Sequence, residues 1–246
     1  LTLIYTAGSF IQGVTGFGFA LFSVPLVSLL FSPGVAVGMN AIVGAATCWS
    51  NFYILRKYVN YIRSLRIFFI SALFVPLGAV VLVRFDERVI FLIMGLMVVG
   101  ASVRSIHKDY KSEVPSQHNG ITGKLRFGLL PIAGMLAGAF ASPGPAITPY
   151  MFSREDDPHT AKANLQFYFG LIGGAIIGSH LFTGNINCEN TLRVLPYIPA
   201  VLLFTKLGAV LSLKIGKERL KRLVNFSLLI LGMYLILKNG YGFVSN

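Results

Sequence analysis

Charge is what this chain has least of. Only 12% of its residues are Asp, Glu, Lys or Arg, while 54% are hydrophobic. Soluble domains carry about 25% charged residues. From Leu1 to Leu55 there is no charged residue at all. A soluble fold of 246 residues could not cover its surface on this supply, so a water-soluble globular domain is excluded. The acids are scarce in a second sense. All nine (Asp86, Glu87, Asp109, Glu113, Glu155, Asp156, Asp157, Glu189 and Glu218) lie in polar segments or at the edges of apolar runs. Cation pumps and cation-selective pores use acidic groups at depth, so an anionic or neutral substrate is favoured. Only two cysteines are present, Cys48 and Cys188, without metal-ligand spacing or a disulfide framework. The H-E-x-x-H, G-x-S-x-G and Walker A patterns are missing. Gly16-Phe17-Gly18 lacks the strand and helix context of a dinucleotide fingerprint. No catalytic residue, metal or cofactor is therefore expected, and the chain reads as something other than an enzyme.

What is present is apolar and segmented. A helix needs about 20 apolar residues to cross a bilayer, and eight apolar stretches can be read. They run over 1–31, 35–55, 67–83, 89–103, 126–153, 163–182, 194–213 and 223–237. Continuous runs argue for helices rather than the alternating strands of a barrel. The expected fold is all-α, a polytopic transmembrane helical bundle. A polar stretch from His107 to Lys124 divides it into a first repeat over 1–106, a cytoplasmic linker over 107–124 and a second repeat over 125–246. A signal peptide is not expected in the first stretch, which lacks a basic n-region and a cleavage site. The net charge of +12 would point to nucleic acid in a soluble protein. Here cytoplasmic loops account for it, and the expected partners are the lipid bilayer and a small anionic substrate, with no nucleic acid.

The halves echo each other. Leu77-Gly78-Ala79-Val80 recurs as Leu207-Gly208-Ala209-Val210, Glu87-Arg88 as Glu218-Arg219, Pro33-x-x-Ala36 as Pro158-x-x-Ala161, and Asn40 as Asn164. Eight simple crossings would divide the loop Lys and Arg 11 to 9 between the two sides, against the usual cytoplasmic excess. If the first and fifth stretches instead fold back, 16 fall on one side and 4 on the other, with Lys206 in the membrane. This predicts inverted repeats, each with a broken or re-entrant hairpin, and both chain ends outside. Gly13 to Ala20 and Ala139 to Pro149 supply the breaks through glycine and proline. Matching breaks in two halves are the sequence pointer to a transporter's binding site.

Candidate substrate-binding residues follow. Half-helix N-termini present N–H groups and a positive dipole end to an anion. That marks Thr15, Gly16 and Gly18 in the first break, and Ser142 and Gly144 in the second. Close helix packing by small residues is the alternative use. Gln12, Asn40, Asn164 and Gln166 could donate amide hydrogens to an anion or join helices. Lys206 lies deep in an apolar stretch, at a cost of about 2.5–3.5 kcal/mol. It could neutralise a substrate or snorkel to the interface. His180 could relay protons or serve as a satisfied core histidine.

The Gly-rich opening of each half followed by proline resembles the sulfite exporter TauE/SafE family, also described as toluene sulfonate uptake permeases. The residues that carry the likeness are Gly13-x-x-Gly16-x-Gly18 with Pro25, and Gly138 with Ser142-Pro143-Gly144-Pro145 and Pro149. The likeness covers nearly the whole chain. The second half departs from the family's run of consecutive glycines by setting Pro143 and Pro145 around Gly144. The resemblance implies a multi-pass protein of the bacterial cytoplasmic (inner) membrane that transports sulfite, organosulfonates or related sulfur or carboxylate anions. Alternating access by a secondary transporter is the mechanism expected. A passive small-solute channel and, further off, an intramembrane enzyme are the rival readings.

Overall fold

The computed structural model describes residues 1–110, 123–152, 157–214 and 217–244, and every regular element among them is helical. Six helices come first: α1 (Thr2–Thr15), α2 (Phe19–Val27), α3 (Pro33–Leu55), α4 (Tyr61–Ala72), α5 (Val75–Arg84) and α6 (Glu87–Tyr110). Six follow: α7 (Gly123–Phe140), α8 (Gly144–Phe152), α9 (Pro158–Phe182), α10 (Cys188–Val194), α11 (Ile198–Lys214) and α12 (Lys217–Val244). Among the described residues, four stretches are long and apolar enough to cross a membrane, Tyr61–Arg84, Glu87–Ile106, His159–Phe182 and Cys188–Leu211. Large apolar side chains such as Phe69, Leu73, Leu96, Phe182 and Leu203 point outward, as lipid-facing residues do.

The helices depart from the eight expected stretches in two ways. The third and seventh stretches are each two helices. Pro76 in the first turn of α5 withholds the N–H that would continue α4. A 3-10 turn over Leu195–Tyr197, carrying Pro196, separates α10 from α11. The two 15-residue stretches are the centres of longer helices, α6 with 24 residues and α12 with 28. Helix α6 therefore runs into the expected linker, and residues 111–122 of that linker lie outside the described residues.

Element lengths recur between the halves. Helices α2 and α8 each have nine residues, α3 has 23 and α9 has 25. Packing recurs as well: α1 packs on α11 as α7 packs on α5, while α3 packs on α9 and α6 on α12. The glycines show how tightly. A Cβ on Gly13 would overlap the Thr205 carbonyl, and one on Gly208 the Phe10 carbonyl. In the other pair, Gly138 faces the Val75 carbonyl and Gly78 the Met135 carbonyl. The Leu-Gly-Ala-Val repeats are thus two backbone-to-backbone crossings, where small residues let helices approach.

Contacts along the central pairs give their directions. In α3 and α9, Gly34 meets Asn185 near one end, Ala45 meets Gly173, and Phe52 meets Phe167 with ring centroids 5.1 Å apart. One number rises as the other falls, so α3 and α9 are antiparallel. Helices α6 and α12 behave alike, with Gly95 against Gly232 and Ser105 bonded to Asn225 at 2.7 Å.

Candidate functional site

The first break starts at Gly16, whose N–H bonds to the Gln12 carbonyl at 2.8 Å with φ 82. Gly18 follows with φ 105. Both lie in the left-handed region, which glycine enters without a Cβ penalty. The chain then turns back along α1. The Phe19 ring lies against Gly8, and the Tyr5 and Phe19 rings stack at 6.1 Å. An uninterrupted helix would hold these residues about 21 Å apart at 1.5 Å per residue.

Such a turn frees backbone groups that membrane depth does not tolerate unpaired. Side chains take them up. The Gln12 amide oxygen accepts the Phe19 N–H at 3.2 Å. The Gln166 amide donates to the Gly16 carbonyl at 2.5 Å. The Thr15 hydroxyl oxygen accepts the Phe17 N–H at 3.3 Å and its proton reaches the Phe17 carbonyl.

The second break is built with different residues. Helix α7 ends at Ala141 with φ 49, the positive-φ position that glycine holds in the first hairpin. The Ser142 N–H returns to the Leu136 carbonyl at 3.3 Å, Pro143 follows, and α8 begins at Gly144. The freed Gly138 carbonyl is met by His180 Nε2 at 2.8 Å, while His180 Nδ1 faces the Asn185 amide nitrogen at 3.0 Å. A carbonyl only accepts and an amide NH₂ only donates. Nε2 therefore carries the proton and Nδ1 accepts. His180 is a satisfied core residue that ties α9 to the break in α7.

The two tips meet. Between them and the antiparallel α3 and α9 lies a cavity of about 60 Å³. A single water needs roughly 10–15 Å³ by the same measure, so several waters or one small oxyanion would fit. Every residue lining it is uncharged. Its polar groups are Gln12, Asn40, Thr47, Cys48 and Ser142. The first turn of α2 contributes Ala20 and Leu21 to the wall, and the first turn of α8 contributes Gly144. N–H groups in a first helical turn have no partner within the helix. Both half-helix N-termini therefore open on one space.

Of the residues singled out from the sequence, Gln12, Gly18, Asn40, Ser142 and Gly144 line this cavity. Gly16 and Gln166 stand just behind its wall, bonded to each other. Thr15 lines a separate, smaller cavity. Two residues are placed elsewhere. The Asn164 amide oxygen accepts the Asn60 N–H at 2.7 Å and the Ser64 hydroxyl at 3.3 Å, so it holds the start of α4. Pro33 and Ala36 correspond to Pro158 and Ala161 at an offset of 125, but Asn40 and Asn164 differ by 124. One residue is about 100° of helix rotation, so Asn164 faces away from the position equivalent to Asn40. Lys206 is exposed on α11, beside the exposed Leu203, Phe204 and Leu207. It faces outward and does not reach the cavity.

Among the lining positions that the sequence reading did not single out are the polar Thr47 and Cys48 and the aromatic Phe17 and Phe169. A signal existed for two. Asn40, Gly44, Thr47 and Cys48 are spaced i, i+4, i+7 and i+8, the period of one helical face. Lys162, counted above as a loop charge, lies with its Cε 3.0 Å from where a Cβ on Gly16 would sit.

No curated protein and no solved structure matches the chain. A family model described as sulfite exporter TauE/SafE matches residues 1–235, nearly the whole length, and this chain, with twelve α-helices among its described residues and apolar stretches fit to cross a membrane, belongs to that family of membrane transporters.

Proposed function

We propose that this protein is a secondary transporter of small anions, sulfite or an organosulfonate being the substrate class. The observation that carries the reading is the convergence of the α2 and α8 N-termini on one uncharged cavity between α3 and α9. The α2 end brings the Ala20 and Leu21 N–H groups and the α8 end the Gly144 N–H, since Pro145 has none and Ala146 bonds to the Pro143 carbonyl at 3.2 Å, and each end adds the positive pole of a helix dipole. Together they stabilise a negative charge without a fixed cation.

The halves act as inverted repeats, 1–106 and 125–246. The antiparallel run of α3 against α9 and of α6 against α12 supports this. So does the 16-to-4 division of basic residues, which sets the 55–66 and 214–222 segments on the cytoplasmic side of a bacterial inner membrane. Alternating access follows from rocking one hairpin and its partner helix against the other about the shared cavity.

Counterflow tests this reading and separates it from a channel. Proteoliposomes loaded with unlabelled sulfite are diluted into a trace of labelled sulfite under a reducing atmosphere. A carrier accumulates label transiently above equilibrium; a passive pore only equilibrates. Monotonic equilibration would refute alternating access, and no protein-dependent flux of sulfite or methanesulfonate would refute the substrate class.

A further inference from the structure

A second cavity, of about 30 Å³, lies on the far side of the first hairpin, against α6 and α12. Its polar groups are Thr15, Ser102, Ser105 and Asn225. Ser102 is 1% exposed and Asn225 7%, so both are buried polar side chains facing the cavity. The Asn225 amide donates to the Ser105 hydroxyl at 2.7 Å, and the Ser102 hydroxyl donates to the Val98 carbonyl at 2.8 Å. Interhelical bonding explains the pair of Ser105 and Asn225. It does not explain why Thr15 and Ser102 meet them around open space.

The two cavities share a wall made of Phe17, Gly18 and Leu21. Phe17 is the one large side chain in the bend itself, carried between Gly16 at φ 82 and Gly18 at φ 105. Glycines on both sides let the backbone change φ with little steric cost. The ring also lies 3.6 Å from where a Cβ on Gly144 would sit, so it touches both hairpin tips. Further along α6 the sequence carries Arg104, Lys108 and Asp109, and the opening turns of α12 carry Lys217, Glu218, Arg219, Lys221 and Arg222, a net positive balance. A concentration of positive charge raises the local level of anions and steers them inward.

We infer that the second cavity is a relay station for the transported oxyanion, separated from the central cavity by the Phe17 ring and connecting it to the basic ends of α6 and α12. Its available donors are the Ser105 hydroxyl and the second N–H of the Asn225 amide, while Thr15 and Ser102 would turn from their backbone carbonyls to meet an oxyanion. Its present volume holds about two waters, so occupation by an oxyanion requires the ring to swing aside. The inference rests on the central cavity binding anions, as proposed above.

Thiol protection tests it with methanesulfonate as the probe. In a Cys188→Ser background, native Cys48 reports on the central cavity. With Cys48→Ala added, Ser102→Cys reports on the second, and Ser105→Cys on the same wall serves if that protein does not fold. N-ethylmaleimide labelling is followed by mass spectrometry with and without saturating methanesulfonate. Protection of at least threefold is expected at both reporters. Phe17→Ala should speed labelling at Ser102→Cys at least tenfold. Protection at Cys48 alone, or no labelling at either second-cavity position, overturns the relay while the central site stands. Protection at neither reporter overturns the relay and the anion reading beneath it.

Discussion

Gly13 and Gly138 offer the sharpest test of how the two halves are joined. Each lies where a helix of one half crosses a helix of the other, Gly13 on α11 and Gly138 on α5. A Cβ at Gly13 would overlap the Thr205 carbonyl and come within 2.9 Å of the Ala209 nitrogen. At Gly138 it would overlap the Val75 carbonyl and reach 2.8 Å from the Ala79 nitrogen. These obstacles are backbone and cannot swing aside as a side chain would. The helices must part by roughly an ångström, a gap that forfeits a quarter to a half of the dispersion at the contact. Overpacking of this kind costs about 2–3 kcal/mol, or roughly 30- to 150-fold in the unfolding constant. Gly174 is the control. It is helical with nothing within 4 Å of an added Cβ, and Gly174→Ala should gain about 0.4–1 kcal/mol. Unfolding in mixed detergent and SDS micelles can be followed through Trp49, the single tryptophan, whose indole packs on Gly170 at the centre of the α3 and α9 pair. Gly13→Ala and Gly138→Ala should both unfold at lower SDS than wild type, and by similar amounts. If either matches Gly174→Ala, the close crossing at that position does not exist.

Three further outcomes follow from side-chain placement. Lys206→Met should leave methanesulfonate affinity unchanged in an equilibrium titration, because the lysine faces outward from α11; a tenfold loss would place its charge at the site. Asn164→Ala should cost about 1–3 kcal/mol by orphaning the buried Ser64 hydroxyl, with affinity per folded molecule unaltered in the same titration. Asp157 caps α9 by accepting the His159 and Thr160 N–H groups, and its bond to the Thr160 hydroxyl, then those backbone bonds, hold its carboxyl below the ordinary value of 3.8. The cap is therefore complete above that value and lost as pH falls through the depressed one, so hydrogen exchange at His159 to Ala161 should quicken there, and Asp157→Ala should exchange fast at every pH.

Much of this was legible because bilayers demand little of sequence beyond apolar runs and broken ones. The hairpins were readable from Gly16, Gly18, Pro143 and Gly144, since few other residues interrupt a helix at depth. The inverted sense proposed for them rested, in the sequence, on loop charge alone, a property of the membrane rather than of packing. Helix phase was not legible. Asn40 and Asn164 looked equivalent, yet a shift of one residue turns Asn164 toward α4. Lys206 looked buried because its neighbours in the chain are apolar, whereas those on its own face point to lipid. Hydropathy cannot separate a lipid-facing position from a core position, for both are apolar in a membrane protein. The glycines carried two jobs under one letter: Gly13 and Gly138 make helix crossings, while Gly16 and Gly18 make the bend.

For the anion site proposed above, an uncharged cavity also sets how tightly the substrate would be held. A helix N-terminus contributes up to about 2 kcal/mol in a partly buried geometry, and two open here. Hydrogen bonds from neutral donors to a charged group add about 1.5–3 kcal/mol each, but association itself costs at least about 4 kcal/mol in lost freedom. The two dipoles offset the association cost, so with two such hydrogen bonds the balance is near 4 kcal/mol, which corresponds to a dissociation constant of about 1 mM. A lysine ammonium at 4 Å would deepen this by about 4 kcal/mol at an effective dielectric of 20, or about a thousandfold. Release would slow by a similar factor, since related complexes differ mainly in how fast they dissociate. A carrier must release its cargo in every cycle, and dipoles without a fixed cation suit that need. Isothermal titration with methanesulfonate in detergent should accordingly give a dissociation constant of about 1 mM that changes little with Lys206→Met. Micromolar affinity would contradict the neutral site. It would mean that a cation reaches the anion, and Lys162, whose side chain already lies against Gly16 at the first hairpin tip, would be the residue to replace next.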